Sequence, residues 1–381
     1  MKRTVFPWPV ISLFLASLNA YAQTPIPLDS AHWQIKASEA IQEEYLGRHC
    51  LKLTNGTALL PDAHFTNGII ELDIALEKGR YFPGIRFRVR DTANGEFYYL
   101  RPHQSGNPDA MQYFPQFNGS GPWQLYYGEG YNNPHFLPFD RWLHIRLLIS
   151  GSRGEVYFDD EKAPVLYMHA LKRPVAPGMI ELQNLSPVPT RFANFSYTPM
   201  DSVPLLNPPK PAPVLPATVI MDWQVSQPFA EAMIKDRILL PSPGSRKSPN
   251  AKGARDSPAF NPSTLRWQSF RADERGVVDL SRLAGAAKGR NTIICRLTVE
   301  CDRDQVRKLT FGFSDRVQVY LNNRLLYAGE DVFMSRDYRF LGTIGYFDAL
   351  WLPLKKGKNE IWMAVSEDYG GWGIQARLDS L

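Results

Sequence analysis

The sequence predicts an all-β protein: two β-sandwich domains of jelly-roll type joined by a proline-rich linker. Three observations predict it. Short runs of β-branched and aromatic residues recur between turn-forming clusters. No long stretch keeps helical periodicity. One segment, "SVPLLNPPKPAPVLPAT" from Ser202 to Thr218, is dense in prolines, which remove backbone donors and favour an extended spacer.

The chain has 381 residues, a length for which two domains are the natural expectation. Its 44% hydrophobic and 21% charged residues suit a globular protein with sizeable cores. Its 31 prolines, 17 tyrosines, 21 phenylalanines and 9 tryptophans fit β-rich, loop-rich structure and sugar-facing surfaces. The formal net charge is +5, with basic residues interleaved with acidic ones, so a nucleic-acid partner is not expected. Three cysteines make no disulfide scaffold. Cys295 and Cys301 fall on one expected strand, roughly 20 Å apart and beyond disulfide reach. The cysteines read as inert thiols in no metal-binding pattern. No cofactor is expected, and a divalent metal is left open.

Residues 1–22 read as a secretory leader. Lys2 and Arg3 precede an apolar run from Val10 to Leu18, and "AYA" supplies small residues before Gln23. The run is too short to span a bilayer. The expected product is an exported protein, periplasmic or extracellular, soluble after cleavage and with no membrane span. Residues 23–199 form the first sandwich, with strands at "GIIELDIAL", "GIRFRVR", "EFYYLR", "WLHIRLLIS" and "GEVYFDD". Residues 200–216 are the linker. The second sandwich, 217–381, opens on "ATVIMDWQVSQPF". A short helix is expected at "FAEAMIKDRILL" and a mobile loop at "PSPGSRKSPNAKGARDSP". Strands resume at "LRWQSF", "NTIICRLTVE", "KLTFGFS", "DALWLPL", "NEIWMAVSE" and "WGIQARL". "RVQVYLNNRLLYAG" reads as a hairpin turning at Asn322 and Asn323.

Five segments, "FTNGIIELDIALEKGRYFPGIRFRVRD", "EFYYLRPHQSGNPDAMQY", "WQLYYGEGY", "RWLHIRLLISGSRGEVYFDDEKAPVL" and "RFANFSY", resemble the concanavalin A-like lectin/glucanase superfamily. The resemblance is to its laminin-G-like and 3-keto-disaccharide-hydrolase-like periplasmic branch. It covers most of residues 30–198 and implies a curved sheet whose concave face takes a carbohydrate. The second part is similar to the galactose-binding-like jelly roll of glycosidase accessory domains. That similarity rests on "WQVSQPF", "SDRVQVYLNNRLLYAG" and "LPLKKGKNEIWMAVSEDYGGWG".

Glucanases of that superfamily carry two glutamates around an aspartate on one strand, and Glu71 and Asp73 in "ELDIALE" open such a pattern. The next acid, Glu77, would lie about 20 Å from Glu71 on a regular strand, whereas a retaining glycosidase needs about 5 Å between carboxyls. The spacing argues against that mechanism and places Glu77 in the following turn. In "GIRFRVR", alternation puts Arg86, Arg88 and Arg90 on one face and Ile85, Phe87 and Val89 on the other. If "EKGRYFPG" closes a hairpin, Glu71 and Asp73 face Arg86 and Arg88. The arginines then form either cross-strand ion pairs or a polar floor for a sugar.

In "YLRPHQSGNPDAMQY", Tyr99 and Arg101 share a face, Pro102 ends the strand, and a loop carries His103, Gln104, Asn107 and Asp109 before Gln112 re-enters the sheet. Sugar recognition needs that inventory, with ring platforms such as Trp123 and Tyr126. Each residue also has a structural alternative: His103 caps the turn, Asp109 holds its own loop, and Trp123 joins the core. Tyr369 and Trp372 in "DYGGWG" form a hairpin or a second sugar contact. No nucleophile elbow, zinc helix, phosphate loop or calcium loop is present.

The expected function is carbohydrate binding on the concave face of the first sandwich, with an oligo- or polysaccharide partner. The ligand would meet Arg86, Arg88, Tyr99, Arg101, His103, Gln104, Gln112, Trp123 and Tyr126. One alternative is a hydrolase of glycosidic bonds, a glycosidase or keto-disaccharide hydrolase, using Asp73, His103 and Asp109. Another is a periplasmic protein-interaction scaffold.

Overall fold

A computed structural model describes residues 25–234, 260–337 and 339–379. The leader, the expected loop at 241–258 and the second half of the expected helix at 229–240 lie outside those residues. The described start of that helix is a single 3-10 turn, Glu231–Met233.

The first sandwich holds β1 (Gln34–Tyr45), β2 (Arg48–Phe65), β3 (Gly68–Ala75), β4 (Gly84–Asp91), β5 (Asn94–Leu100), β6 (Met111–Gln116), β7 (Asn132–Asn133), β8 (Trp142–Ser150), β9 (Arg153–Phe158), β10 (Leu166–Met168), β11 (Gly178–Asn184) and β12 (Thr190–Pro199). They form one continuous ladder, β10-β9-β8-β3-β12-β2-β11-β4-β5-β6-β7, with β1 beside β2. The long strand β2 is the fold line. Leu51–Leu53 pair with β12, while Gly56–Leu60 pair with β11. Between them Asn55 takes a positive φ of 44°, and a Cβ on Gly56 would come within 2.3 Å of Ala37, so only glycine fits. The ladder therefore closes on itself as two leaves. Ile70, Leu72, Ile74, Leu143, Ile145 and Leu147 of one leaf meet Ile85, Phe87, Tyr98, Leu100, Met111 and Tyr113 of the other in a single core.

The expected hairpin between "ELDIAL" and "GIRFRVR" does not form. β3 pairs with β8 and β12, whereas β4 pairs with β5 and β11. Glu71 and Asp73 thus face Arg146 and His144, not Arg86 and Arg88. Sequence-adjacent strands sit in different leaves because the connecting segment crosses from one sheet to the other.

The linker lies along β9. Leu206 and Asn207 donate backbone N–H groups to the buried Glu155 carboxylate at 2.9 and 2.7 Å. Val203 and Leu205 pack on Leu148 and Tyr157. The second sandwich holds β13 (Asp222–Ser226), β14 (Trp267–Arg271), β15 (Val278–Asp279), β16 (Thr292–Cys301), β17 (Gln305–Ser314), β18 (Arg316–Leu321), β19 (Arg324–Glu330), β20 (Asp348–Leu354), β21 (Gly357–Ser366) and β22 (Gly373–Asp379). One sheet runs β14-β13-β16-β21-β18-β19 and the other β15-β22-β17-β20. Trp223, Ile293, Val319, Met363 and Val365 of the first pack on Phe311, Phe313, Leu352 and Ile374 of the second. Asn322 and Asn323 turn the β18–β19 hairpin with φ of 48° and 70°, as expected. All three cysteines are buried free thiols. Among the described residues no helix is long and apolar enough to cross a membrane.

The two sandwiches meet through buried and part-buried polar contacts. Tyr126 donates to Asp279 Oδ2 at 2.8 Å, Arg275 Nη1 to the Leu125 carbonyl at 2.8 Å, and Gln124 Nε2 to the Leu341 carbonyl at 3.0 Å. Lys172 pairs with Glu274. At Gly370, with a φ of +102°, a Cβ would stand 2.4 Å from Gln124 Oε1. Leaving the buried Tyr126–Asp279 pair unmade would cost about 1–3 kcal/mol, so the joint resists opening.

Candidate binding cleft between the sandwiches

The cleft begins with strand alternation. Alternation along β5 sets Phe97 and Tyr99 on the face opposite Tyr98 and Leu100, and all four are buried. Register places Gln112 opposite Tyr99 and Phe114 opposite Phe97 on β6. Phe97 and Tyr99 stack with centroids 5.0 Å apart, and Phe114 meets both edge-on at 5.4 Å. At Arg101 the strand ends, and Pro102–Gln104 turn as a 3-10 segment.

Gln112 is buried beneath this surface and organises it. Its Oε1 accepts from Tyr99 Oη at 2.8 Å and from Arg101, while its Nε2 donates to the carbonyls of Trp123, at 2.8 Å, and Tyr126. That ties the 118–128 segment over the strands. The Arg101 guanidinium lies 4.8 Å from the Tyr99 ring centroid and 5.6 Å from that of Trp123, and donates to the Asp109 carbonyl at 3.0 Å.

The second sandwich closes this surface into a cavity of about 670 Å³. From the first domain it is lined by Arg80, Phe82, Tyr99, Arg101, His103, Gln104, Asp109 and Trp123, among others; from the second by Phe333, Leu341, Glu367, Asp368 and Tyr369. Trp123 sits 6.1 Å from Phe333 and 6.3 Å from Tyr369, centroid to centroid, so rings of both domains form one wall.

The acidic side of the cleft has uneven electrostatics. Burial, followed by the charges of Asp315, Asp368 and Asp279, pushes the Glu367 carboxyl well above its ordinary range. Its Oε1 accepts the Gly371 N–H at 2.9 Å, and its buried Oε2 has no hydrogen-bond partner. Asp368 is held below the usual range by hydrogen bonds from Arg316 at 2.6 and 3.0 Å. Opposite, burial and the charges of Arg80 and Arg101 lower the pKa of His103.

Six of the expected residues therefore gather in one cavity: Tyr99, Arg101, His103, Gln104, Asp109 and Trp123. Gln112 supports them from below. Tyr126 does not present a ring platform; it is buried under Arg275, and its hydroxyl belongs to the domain joint. Arg86 and Arg88 do not form an open floor: each is only 3% exposed, and neither lines the cavity that Tyr99 and Arg101 border. Arg86 pairs with Glu181, its register partner on β11. Arg88 sits at a bulge with a φ of 49° and donates to the carbonyls of Thr66 and Gly151 at 2.8 and 2.7 Å. Asp73 is elsewhere, in the other leaf, bonded by His144 at 2.8 Å and Asn194 at 2.6 Å and paired with Arg48. It does not join His103 and Asp109.

Sequence reasoning missed Arg80, Phe82 and Phe333. It named Tyr369, which is 63% exposed at the cleft, beside Trp372, which is core. Among the described residues no cluster of histidine, cysteine and carboxylate side chains is arranged to hold a metal ion.

No protein-family model matches the chain, and no curated protein matches it. Among solved structures it is similar to the carbohydrate-binding module CBM66 from Bacillus subtilis, at 18% identity over 44% of this chain and 94% of that one, with a TM-score of 0.33. It is also similar to a Bacillus subtilis protein of unknown function with a galectin-like fold, at 11% identity over 44% and 89%, TM-score 0.33. A third is the galectin LEC-6 from Caenorhabditis elegans, at 12% identity over 38% and 95%, TM-score 0.27. Likeness at this level bears no weight on what the chain does, which rests on the cleft itself.

Proposed function

We propose that the protein binds a carbohydrate in the cleft between its two sandwiches. The observation that carries this reading is the joining of an aromatic wall, Trp123, Phe333 and Tyr369, with the polar side chains Arg80, His103 and Gln104 in one cavity of about 670 Å³, over a floor set by Arg101 and Asp109. Sugar rings offer an apolar C–H face for such rings and hydroxyls for such polar groups. The second domain is then part of the site rather than an accessory. The reading includes export through the leader ending at Ala22, and membership of the first sandwich in the concanavalin A-like superfamily.

Binding is favoured over hydrolysis by the carboxylates. A glycosidase needs two of them free on either side of the scissile bond. Glu367 keeps its unpartnered oxygen buried, Asp368 is tied to Arg316, and Asp109 is 8% exposed beside Arg101. Glycan-array screening followed by calorimetry on the full chain tests the proposal. Trp123→Ala and Tyr369→Ala should each weaken the best ligand by about tenfold or more, roughly 1.4 kcal/mol. Tyr369→Ala should leave thermal unfolding unchanged. An empty array, or affinity indifferent to both substitutions, would leave a two-sandwich scaffold as the better account.

A further inference from the structure

Resting on that reading, we infer that the cleft selects acidic saccharides, the carboxylate of a uronic-acid residue being received by Arg80. The other charged groups of the cleft already have partners or are neutralised. Arg101 is committed to Tyr99, Gln112 and the Asp109 backbone. Asp368 is committed to Arg316, which also holds Glu231. Glu367 is buried, and its surroundings favour its neutral form.

Arg80 is different. It is exposed at the cleft, and its guanidinium makes no hydrogen bond or ion pair with any described residue; its contact is the Phe333 ring, 6.0 Å away. His103 lines the same cavity, its ring edge-on to Phe82 at 5.4 Å, but its Nδ1 is closed off from solvent, as Glu367 Oε2 is, and offers a ligand no hydrogen bond. A planar anion with two oxygens matches the free guanidinium, whose fork takes a carboxylate in a matched pair of bonds. A neutral sugar leaves that charge without a counter-ion.

The test is an array carrying uronic-acid oligosaccharides, their neutral parent hexose oligosaccharides and sulfated counterparts, with calorimetry of the best acidic and neutral pair. Acidic oligosaccharides should bind about tenfold more tightly than their parents, and the gap should narrow between low and high salt. Arg80→Gln, a change at an exposed residue, should bring the acid-to-neutral affinity ratio close to one. Equal affinity for acidic and neutral forms would overturn the selectivity while leaving carbohydrate binding intact. A preference for sulfate over carboxylate would overturn the planar-anion argument. An acid preference that survives Arg80→Gln would overturn the assigned residue. Failure of every glycan would overturn this inference together with the reading it rests on.

Discussion

Arg86 and Arg101 lie on neighbouring parts of one leaf, and register sets Arg86 opposite Phe97, whose face Tyr99 shares. Only Arg101 reaches the cleft. The difference lies in what stands beside each. Arg86 has a full strand on either flank, and β11 brings Glu181 directly opposite it. Arg88 is turned by the bulge towards loop carbonyls. Arg101 stands where Pro102 halts the strand, so its upper side is met by the 118–128 segment and the second domain, which leave a cavity. Alternation decides which face a side chain takes; the partners that distant chain brings to that face decide whether it stays available.

The largest expected effect breaks the first half of this comparison. Arg86→Ala would leave the Glu181 carboxylate buried without its cation and should cost about 3–5 kcal/mol of stability. Urea unfolding monitored by tryptophan fluorescence measures it. Replacing the pair together, Arg86→Met with Glu181→Leu, should recover most of the loss, because two matched apolar groups leave no charge uncompensated. Glycan affinity of the folded fraction should not change in either variant. A near-neutral Arg86→Ala, or one that lost affinity while staying folded, would restore Arg86 as a ligand group.

The same contrast explains how far the sequence could be read. The short apolar strands were legible because each buries one face, and the β18–β19 turn was legible because asparagine tolerates positive φ. β1, "QIKASEAIQEEY", was not legible; it is mostly exposed and carries its hydrogen bonds to β2 with little apolar patterning. The pairing of β3 with β8 was out of reach because nothing local specifies it. Within the cleft, "YLRPHQSGNPDAMQY" announced its polar half through chemistry dense in one loop. Phe333 and Tyr369 come from the far end of the chain, and contacts across the domain joint, among them Gln124 with the Leu341 carbonyl and with Gly370, bring them against Trp123.

An intermediate effect extends the comparison from arginines to carboxylates. In the first domain Asp73 is rich in donors and its pKa is lowered, against the cost of burial, by His144, Asn194 and Arg48. Its contribution to stability is present above the unfolded carboxylate range and lost as pH falls through its folded pKa. In the second domain burial, reinforced by Asp348 and opposed by Arg336, pushes Asp331 up to about 7. Folding there favours the protonated carboxyl, so the penalty is absent below the unfolded pKa and grows as pH rises to about 7. Asp331→Asn should therefore gain stability relative to the parent between pH 5 and pH 8. The change in midpoint should be about 2–4 °C for each 1 kcal/mol. Scanning calorimetry at both pH values measures it; a difference between parent and variant that is the same at pH 5 and pH 8 would mean that Asp331 does not titrate in this window.

The smallest effect concerns Arg90, the third arginine of the "RFRVR" alternation. It lies past the bulge of β4, where the ladder to β5 shifts register, and its side chain is exposed. Neither a buried anion nor the cleft wall depends on it, so Arg90→Ala should move stability by no more than about 0.5 kcal/mol and leave glycan affinity unchanged. The substitution is informative because the three residues look equivalent in sequence. If removing Arg90 weakened glycan binding while Arg86→Met with Glu181→Leu did not, the ligand would have to extend from the cleft along the exposed end of β4. Availability would then follow the edge of the sheet rather than the partners that close over its middle.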